Sequence, residues 1–129
     1  MPVAIIAAHG DLATGFVSAV EQITGRGKLF IAMTNSGLGA SEIERALIEL
    51  VDTRNIRVIF TDLPAGSCTI AARRVLAGRP DMILVTGTSL PLLLDFMSHE
   101  ELSPAEAATH AVDRAVRSLT AVPGAARAH

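Results

Sequence analysis

Pro2-Val3-Ala4-Ile5-Ile6-Ala7-Ala8-His9-Gly10 opens the chain with an unbroken apolar run that ends on a histidine and a glycine. A half-buried strand would alternate apolar and polar residues, whereas a strand covered on both faces is apolar throughout. The length of the run and the glycine after it predict a fully buried first strand. Asp11 then stands where a helix cap belongs, and Leu12, Phe16, Val20 and Ile23 recur at helical spacing until Gly25 and Gly27 interrupt the pattern.

The same alternation repeats outward along the chain. Leu29-Phe30-Ile31-Ala32-Met33 predicts a second strand, closed by the turn-forming cluster Thr34-Asn35-Ser36-Gly37. Ser41 is the expected cap of a helix whose Ile43, Leu47, Leu50 and Val51 share one face, opposite Glu42, Arg45 and Glu49. Val58-Ile59-Phe60-Thr61 predicts strand three. A loop from Asp62 to Gly66 leads to a helix from near Ser67 to about Gly78, and Met82-Ile83-Leu84-Val85 predicts strand four. Helices over Leu90–Met97 and Pro104–Thr120 complete the pattern, the last announced by Ser103, Pro104 and Glu106.

Apolar strands alternating with helices pair in parallel through right-handed crossovers. The expected fold is therefore α/β: a doubly wound, mainly parallel four-stranded sheet with helices on both faces. With 129 residues the chain is expected to hold a single domain over residues 1–122, and residues 123–129 to form a mobile tail.

Composition narrows the function classes. Eleven basic residues against thirteen acidic ones leave a net charge of −2 without a basic block, and Phe supplies all four aromatics, so nucleic-acid binding is not expected. No apolar stretch approaches the roughly 20 residues of a membrane-crossing helix. The first residues lack a basic segment ahead of an apolar one, and a single cysteine excludes an internal disulfide, which together point to the cytoplasm.

In an open parallel sheet, ligands bind beyond the carboxyl ends of the strands, near the point where strand order reverses. His9-Gly10, Asp62 and Thr86-Gly87-Thr88-Ser89 stand at three such ends. An imidazole titrates near neutrality and can act as a nucleophile, and a carboxylate accepting its Nδ1 proton would fix the tautomer and free Nε2 to attack. His9 and Asp62 are the candidate catalytic pair. Ala65-Gly66-Ser67-Cys68 leads into a helix whose N-terminal N–H groups suit an anion, which makes Gly66 and Ser67 candidate phosphoryl-binding residues. Gly10 and Asp11 offer a second, less favourable cradle because the Asp11 charge opposes an anion.

Bland readings compete with these. His9 and Asp62 each also fit simple turn positions, Ser67 a helix cap, and Cys68 a small buried residue. A reactive Cys68 thiolate at a helix start is a further alternative. His99 and His110 lie among Glu100, Glu101, Asp113 and Arg114 and are expected to be solvated surface groups. No metal-ligand spacing connects them to His9, and no metal is expected.

The segments Ala4-Ile5-Ile6-Ala7-Ala8-His9-Gly10, Thr61-Asp62, Gly66-Ser67 with Ala71-Ala72-Arg73, and Gly87-Thr88-Ser89-Leu90-Pro91-Leu92-Leu93-Leu94 resemble, in that order, the enzyme IIA proteins of the mannose class of the bacterial sugar phosphotransferase system. The resemblance spans roughly residues 3–120. It implies a phosphotransferase that takes a phosphoryl group on His9 from the histidine-containing phosphocarrier protein and passes it to a separate IIB component. It further implies a homodimer, an indirect association with a membrane sugar permease and no dissociable cofactor. Asp62 would be the partner of His9, and Gly66 with Ser67 the loop facing the phosphoryl group. Leu63-Pro64-Ala65-Gly66-Ser67-Cys68 departs from the aromatic, paired glycines and proline often found in that family. Two alternatives share the fold: the phosphoryl-transfer subunit of dihydroxyacetone kinase, and a regulatory or binding module that has lost transfer.

Overall fold

Each predicted apolar run becomes a strand in the computed structural model, which describes residues 3–128. The strands are β1 (Ala4–Ala8), β2 (Phe30–Thr34), β3 (Val58–Thr61) and β4 (Ile83–Val85). Pro2, expected at the start of the first strand, and His129, the last residue of the expected tail, lie outside the described residues. The helices are α1 (Leu12–Thr24), α2 (Ala40–Arg54), α3 (Ser67–Leu76), α4 (Leu90–Met97) and α5 (Pro104–Ser118), with a 3-10 turn over Gly27–Leu29. Residues 119–128 form neither helix nor strand. No helix among the described residues is long and apolar enough to cross a membrane.

All strand pairs are parallel and the order is β2-β1-β3-β4, with Ala4 opposite both Phe30 and Val58, and Val58 opposite Ile83. The chain steps from β1 to β2 on one side and then returns past β1 to β3 on the other. The gap between the carboxyl ends of β1 and β3 is thus the point where strand order reverses.

Because side chains alternate along a strand, the sheet builds two cores. Ala4, Ile6, Ala8, Phe30, Val58, Phe60 and Val85 pack with residues of α1, α4 and α5 on one face. Ile5, Ala7 and Ile59 pack with Ile43, Leu47, Ala71 and Val75 of α2 and α3 on the other. All five residues of β1 are fully buried, as the continuous apolar run requires. Phe30, Phe60 and Phe96 anchor the first core, the Phe60 and Phe96 rings meeting edge to face at 5.0 Å. Such a contact adds about 0.5–1.5 kcal/mol beyond area burial.

Helix starts correct the sequence in three places. Asp11 occupies the cap position of α1 but its side chain makes no capping bond. Helix α2 is capped by Gly39 rather than Ser41: the Glu42 carboxylate reaches back to accept the Gly39 N–H at 3.0 Å, leaving Ser41 inside the first turn. Helix α3 is preceded by Gly66, so Ser67 is its first residue and not its cap. The Ser103 cap stands as expected, exchanging bonds with Glu106 in a capping box, and Ser89, read only as part of a strand end, caps α4 by accepting from Leu92 N–H. At the other ends, α3 stops at Leu76, ahead of Gly78, and α5 at Ser118, where Leu119 turns extended.

Candidate functional site

His9 follows the last residue of β1 and Asp62 the last residue of β3, so adjacent parallel strands deliver them side by side at the reversal point. One carboxylate oxygen, Asp62 Oδ2, accepts two bonds from His9: the backbone N–H at 3.0 Å and ring Nδ1 at 2.7 Å. A carboxylate cannot donate, so Nδ1 carries the proton and the lone pair of the neutral ring sits on Nε2. The His9 side chain is 47% exposed and that of Asp62 10%, which presents the ring to solvent while holding its anchor largely inside.

Burial of the Asp62 carboxyl pushes its pKa up, and Oδ1, buried without a hydrogen-bond partner, belongs to that cost. The backbone and ring bonds from His9, with the attraction of the imidazolium, outweigh it and hold the carboxyl below its ordinary 3.8. Asp62 is therefore ionised at neutral pH.

The loop that carries Asp62 is pinned from two sides, by Thr69 of α3 and by Thr88 after β4. Thr61, wholly buried, meets Thr69 with 2.7 Å between their hydroxyl oxygens, and Thr69 Oγ1 donates to the Leu63 carbonyl at 2.5 Å. A hydroxyl has one proton, so Thr61 must be the donor to Thr69. From β4, Thr88 donates both its N–H, at 3.1 Å, and its Oγ1, at 2.7 Å, to the Thr61 carbonyl. The strand-four end thus reaches the site through Thr88 rather than by direct approach to His9.

Gly66 turns the chain from this loop into α3. Its φ of +113° lies where only glycine is at ease, and a Cβ built there would stand 3.7 Å from His9 Cε1, so the backbone lies against the imidazole. Helix α3 begins at the next residue, and the first turn of a helix leaves N–H groups free to bind an anion. Ser67 joins this wall through Asn35, whose Nδ2 donates to Ser67 Oγ at 3.5 Å and whose Oδ1 accepts the Gly10 N–H at 3.4 Å. The sequence pattern does not single out Asn35 or Thr69 as site residues, and offers Thr88 only as one of four residues at the end of β4. Asn35 at least carried a signal, since it follows the carboxyl end of β2.

Cys68 has the bland role: it is 1% exposed, and burial, followed by the nearby Asp62 charge, pushes its thiol pKa up despite a bond from Ser67. A reactive thiolate there is overturned by those two effects. Asp11 is exposed at the edge of the second cradle. His99 and His110, expected to be solvated surface groups, are partly exposed and exposed respectively, and they also face each other with ring centroids 4.1 Å apart and share Asp95.

Residues 3–113 match the family EIIA-man, described as the fructose IIA component of the phosphotransferase system. The chain is 30% identical over 105 residues to the sorbose-specific EIIA component of the phosphotransferase system of Klebsiella pneumoniae, an alignment covering 80% of this chain and 78% of that one. In fold it is similar to the mannose/sorbose specific IIA subunit from Enterococcus faecalis, with a TM-score of 0.82, 18% identity and 98% of each chain covered. It is also similar to the phosphotransferase system component EIIA from Streptococcus agalactiae, with a TM-score of 0.80, 20% identity, and 94% of this chain and 97% of that chain covered.

Proposed function

Given that this chain belongs to the EIIA-man family of the sugar phosphotransferase system, we propose that it is a phosphoryl carrier with His9 as the carrying residue. The histidine-containing phosphocarrier protein is the donor. The lone pair of His9 Nε2 attacks phosphorus in line, the new N–P bond forming as the donor's N–P bond breaks and the donor imidazole leaves. Asp62 keeps the Nδ1 proton in place throughout and stabilises the positive character the ring gains. The start of α3, with Gly66 and Ser67, faces the phosphoryl oxygens and offers backbone N–H groups. Transfer onward to a separate IIB component reverses these steps.

The observation that carries this role is the 2.7 Å bond from His9 Nδ1 to Asp62, made by an exposed ring whose anchor is buried and ionised. The carrier works in the cytoplasm as a single domain over residues 1–122, serves a membrane sugar permease only indirectly, and needs no dissociable cofactor. It functions as a homodimer, for which exposed Val112, Val116, Leu119 and Val122 supply apolar surface.

Incubation with phosphoenolpyruvate, enzyme I and the phosphocarrier protein is the test. The wild type should gain one acid-labile phosphoryl group by intact mass, His9→Ala none, and a purified IIB component should discharge the adduct. Labelling of His9→Ala would refute the assignment.

A further inference from the structure

A second histidine–carboxylate cluster lies away from His9. Asp95 sits in the last turn of α4, His99 in the turn that follows and His110 in the middle of α5. Helix α4 runs back from the carboxyl end of β4, and the same apolar cleft is lined by His99 and by Val3 and Leu29, which precede β1 and β2. The cluster therefore belongs to the amino-end side of the sheet, opposite the reversal point.

Both imidazoles are oriented by Asp95. His99 Nδ1 lies 2.9 Å from the Asp95 carbonyl, which can only accept, and His110 Nδ1 lies 2.6 Å from the Asp95 carboxylate. In the metal-free chain each Nδ1 thus carries a proton. Asp95 Oδ2 lies 2.6 Å from His110 Nδ1 and 3.7 Å from His99 Nδ1, so an ion held by that carboxylate would displace the two protons and take both rings through Nδ1. One donor atom from each of Asp95, His99 and His110 lies within 4.8 Å of the other two. A tetrahedral zinc ion with bonds of about 2.1 Å sets its donors roughly 3.4 Å apart, within reach by side-chain rotation. The side chains are 14%, 26% and 44% exposed in the order Asp95, His99, His110, so an ion can enter from solvent.

We propose that Asp95, His99 and His110 form a binding site for a divalent transition ion of the zinc class, with water completing the tetrahedron. Two imidazoles with one carboxylate select such an ion over magnesium or calcium, which take oxygen donors. Arg114, whose Nε is 3.9 Å from Asp95 Oδ1, is the one competing cation against the carboxylate among the described residues. It is 64% exposed and free to swing away. The ion would tie the end of α4 to α5 and leave the surroundings of His9 unchanged. This proposal stands independently of the phosphoryl-carrier role.

Titration of the metal-free chain with Co2+, followed by visible absorption, tests the site, with Zn2+ competition and thermal melting alongside. One ion per chain should bind with tetrahedral Co2+ bands that Zn2+ abolishes. At free Zn2+ ten times Kd the melting midpoint should rise by roughly 5 °C. His110→Gln and His99→Gln should each weaken binding at least tenfold, and circular dichroism in chelator checks that both variants fold. His9→Gln, which breaks the other imidazole–carboxylate pair, should bind as the wild type does. Absence of bands and of any melting shift at about 100 μM ion would overturn the site, as would binding that survives both variants or is lost in His9→Gln.

Discussion

The molecule holds two histidine–carboxylate contacts of nearly equal length, 2.7 Å at His9–Asp62 and 2.6 Å at His110–Asp95, in two unlike settings. The first joins the carboxyl ends of neighbouring parallel strands and is walled by a glycine turn and the start of α3. The second joins the end of one helix to the middle of another, with a second imidazole beside it. The pair alone therefore does not define a phosphoryl site. A single exposed imidazole facing free N–H groups suits a phosphoryl anion, and two imidazoles around one carboxylate suit a cation.

Substitutions sharpen that contrast in order of expected effect. Asp62→Asn removes the charge behind His9 while keeping its shape, and should slow phosphoryl acceptance on the order of 100-fold, measured by single-turnover labelling from the phosphocarrier protein. It should also flatten the acid limb of stability. The folded Asp62 carboxyl ionises below 3.8, so its stabilisation is complete above that pH and is lost as pH falls through the lower folded value. Denaturant unfolding at about pH 5 and about pH 3 should therefore show a smaller loss in the variant than in the wild type.

Gly66→Ala tests the wall. The added Cβ has room beside His9, but φ +113° strains any L side chain, so the variant should lose about 1–3 kcal/mol in denaturant unfolding and slow acceptance about tenfold. Thr69→Val tests the support of the loop. It leaves the Thr61 hydroxyl without its acceptor and the Leu63 carbonyl without its donor, at a cost of about 1–3 kcal/mol by the same measurement. His110→Gln should do least. It breaks a contact at a partly exposed ring, so acceptance should match the wild type and metal-free stability should change by no more than about 1 kcal/mol. A marked fall in acceptance there would break the separation of the two sites.

The first site was legible in sequence because its key residues punctuate apolar runs. Ala4–Ala8 and Val58–Thr61 are uniform enough to be read as buried strands, and His9 and Asp62 are the residues that end them. Parallel pairing of two runs at matched register then places the endings together. Asn35 and Thr69 escape such a reading, and Thr88 stands in it only as one residue of a polar strand end, because their roles depend on which elements become neighbours, and no local spacing encodes that. The second cluster was hidden for a similar reason. Asp95 and His99 are four apart, but His110 arrives only through the packing of α5 against α4. The caps at Asp11, Ser41 and Ser67 were misread because local propensity favours those side chains, whereas Glu42 reaching back to Gly39 and the turn at Gly66 satisfy the chain differently.

Phosphorus and nitrogen NMR of the phosphorylated chain, with the histidine rings isotope-labelled, would test the central claim most directly. The Asp62-held tautomer predicts a single phosphohistidine at His9 with phosphorus on Nε2 and the proton retained on Nδ1. Phosphorus on Nδ1, or on any residue other than His9, would contradict it.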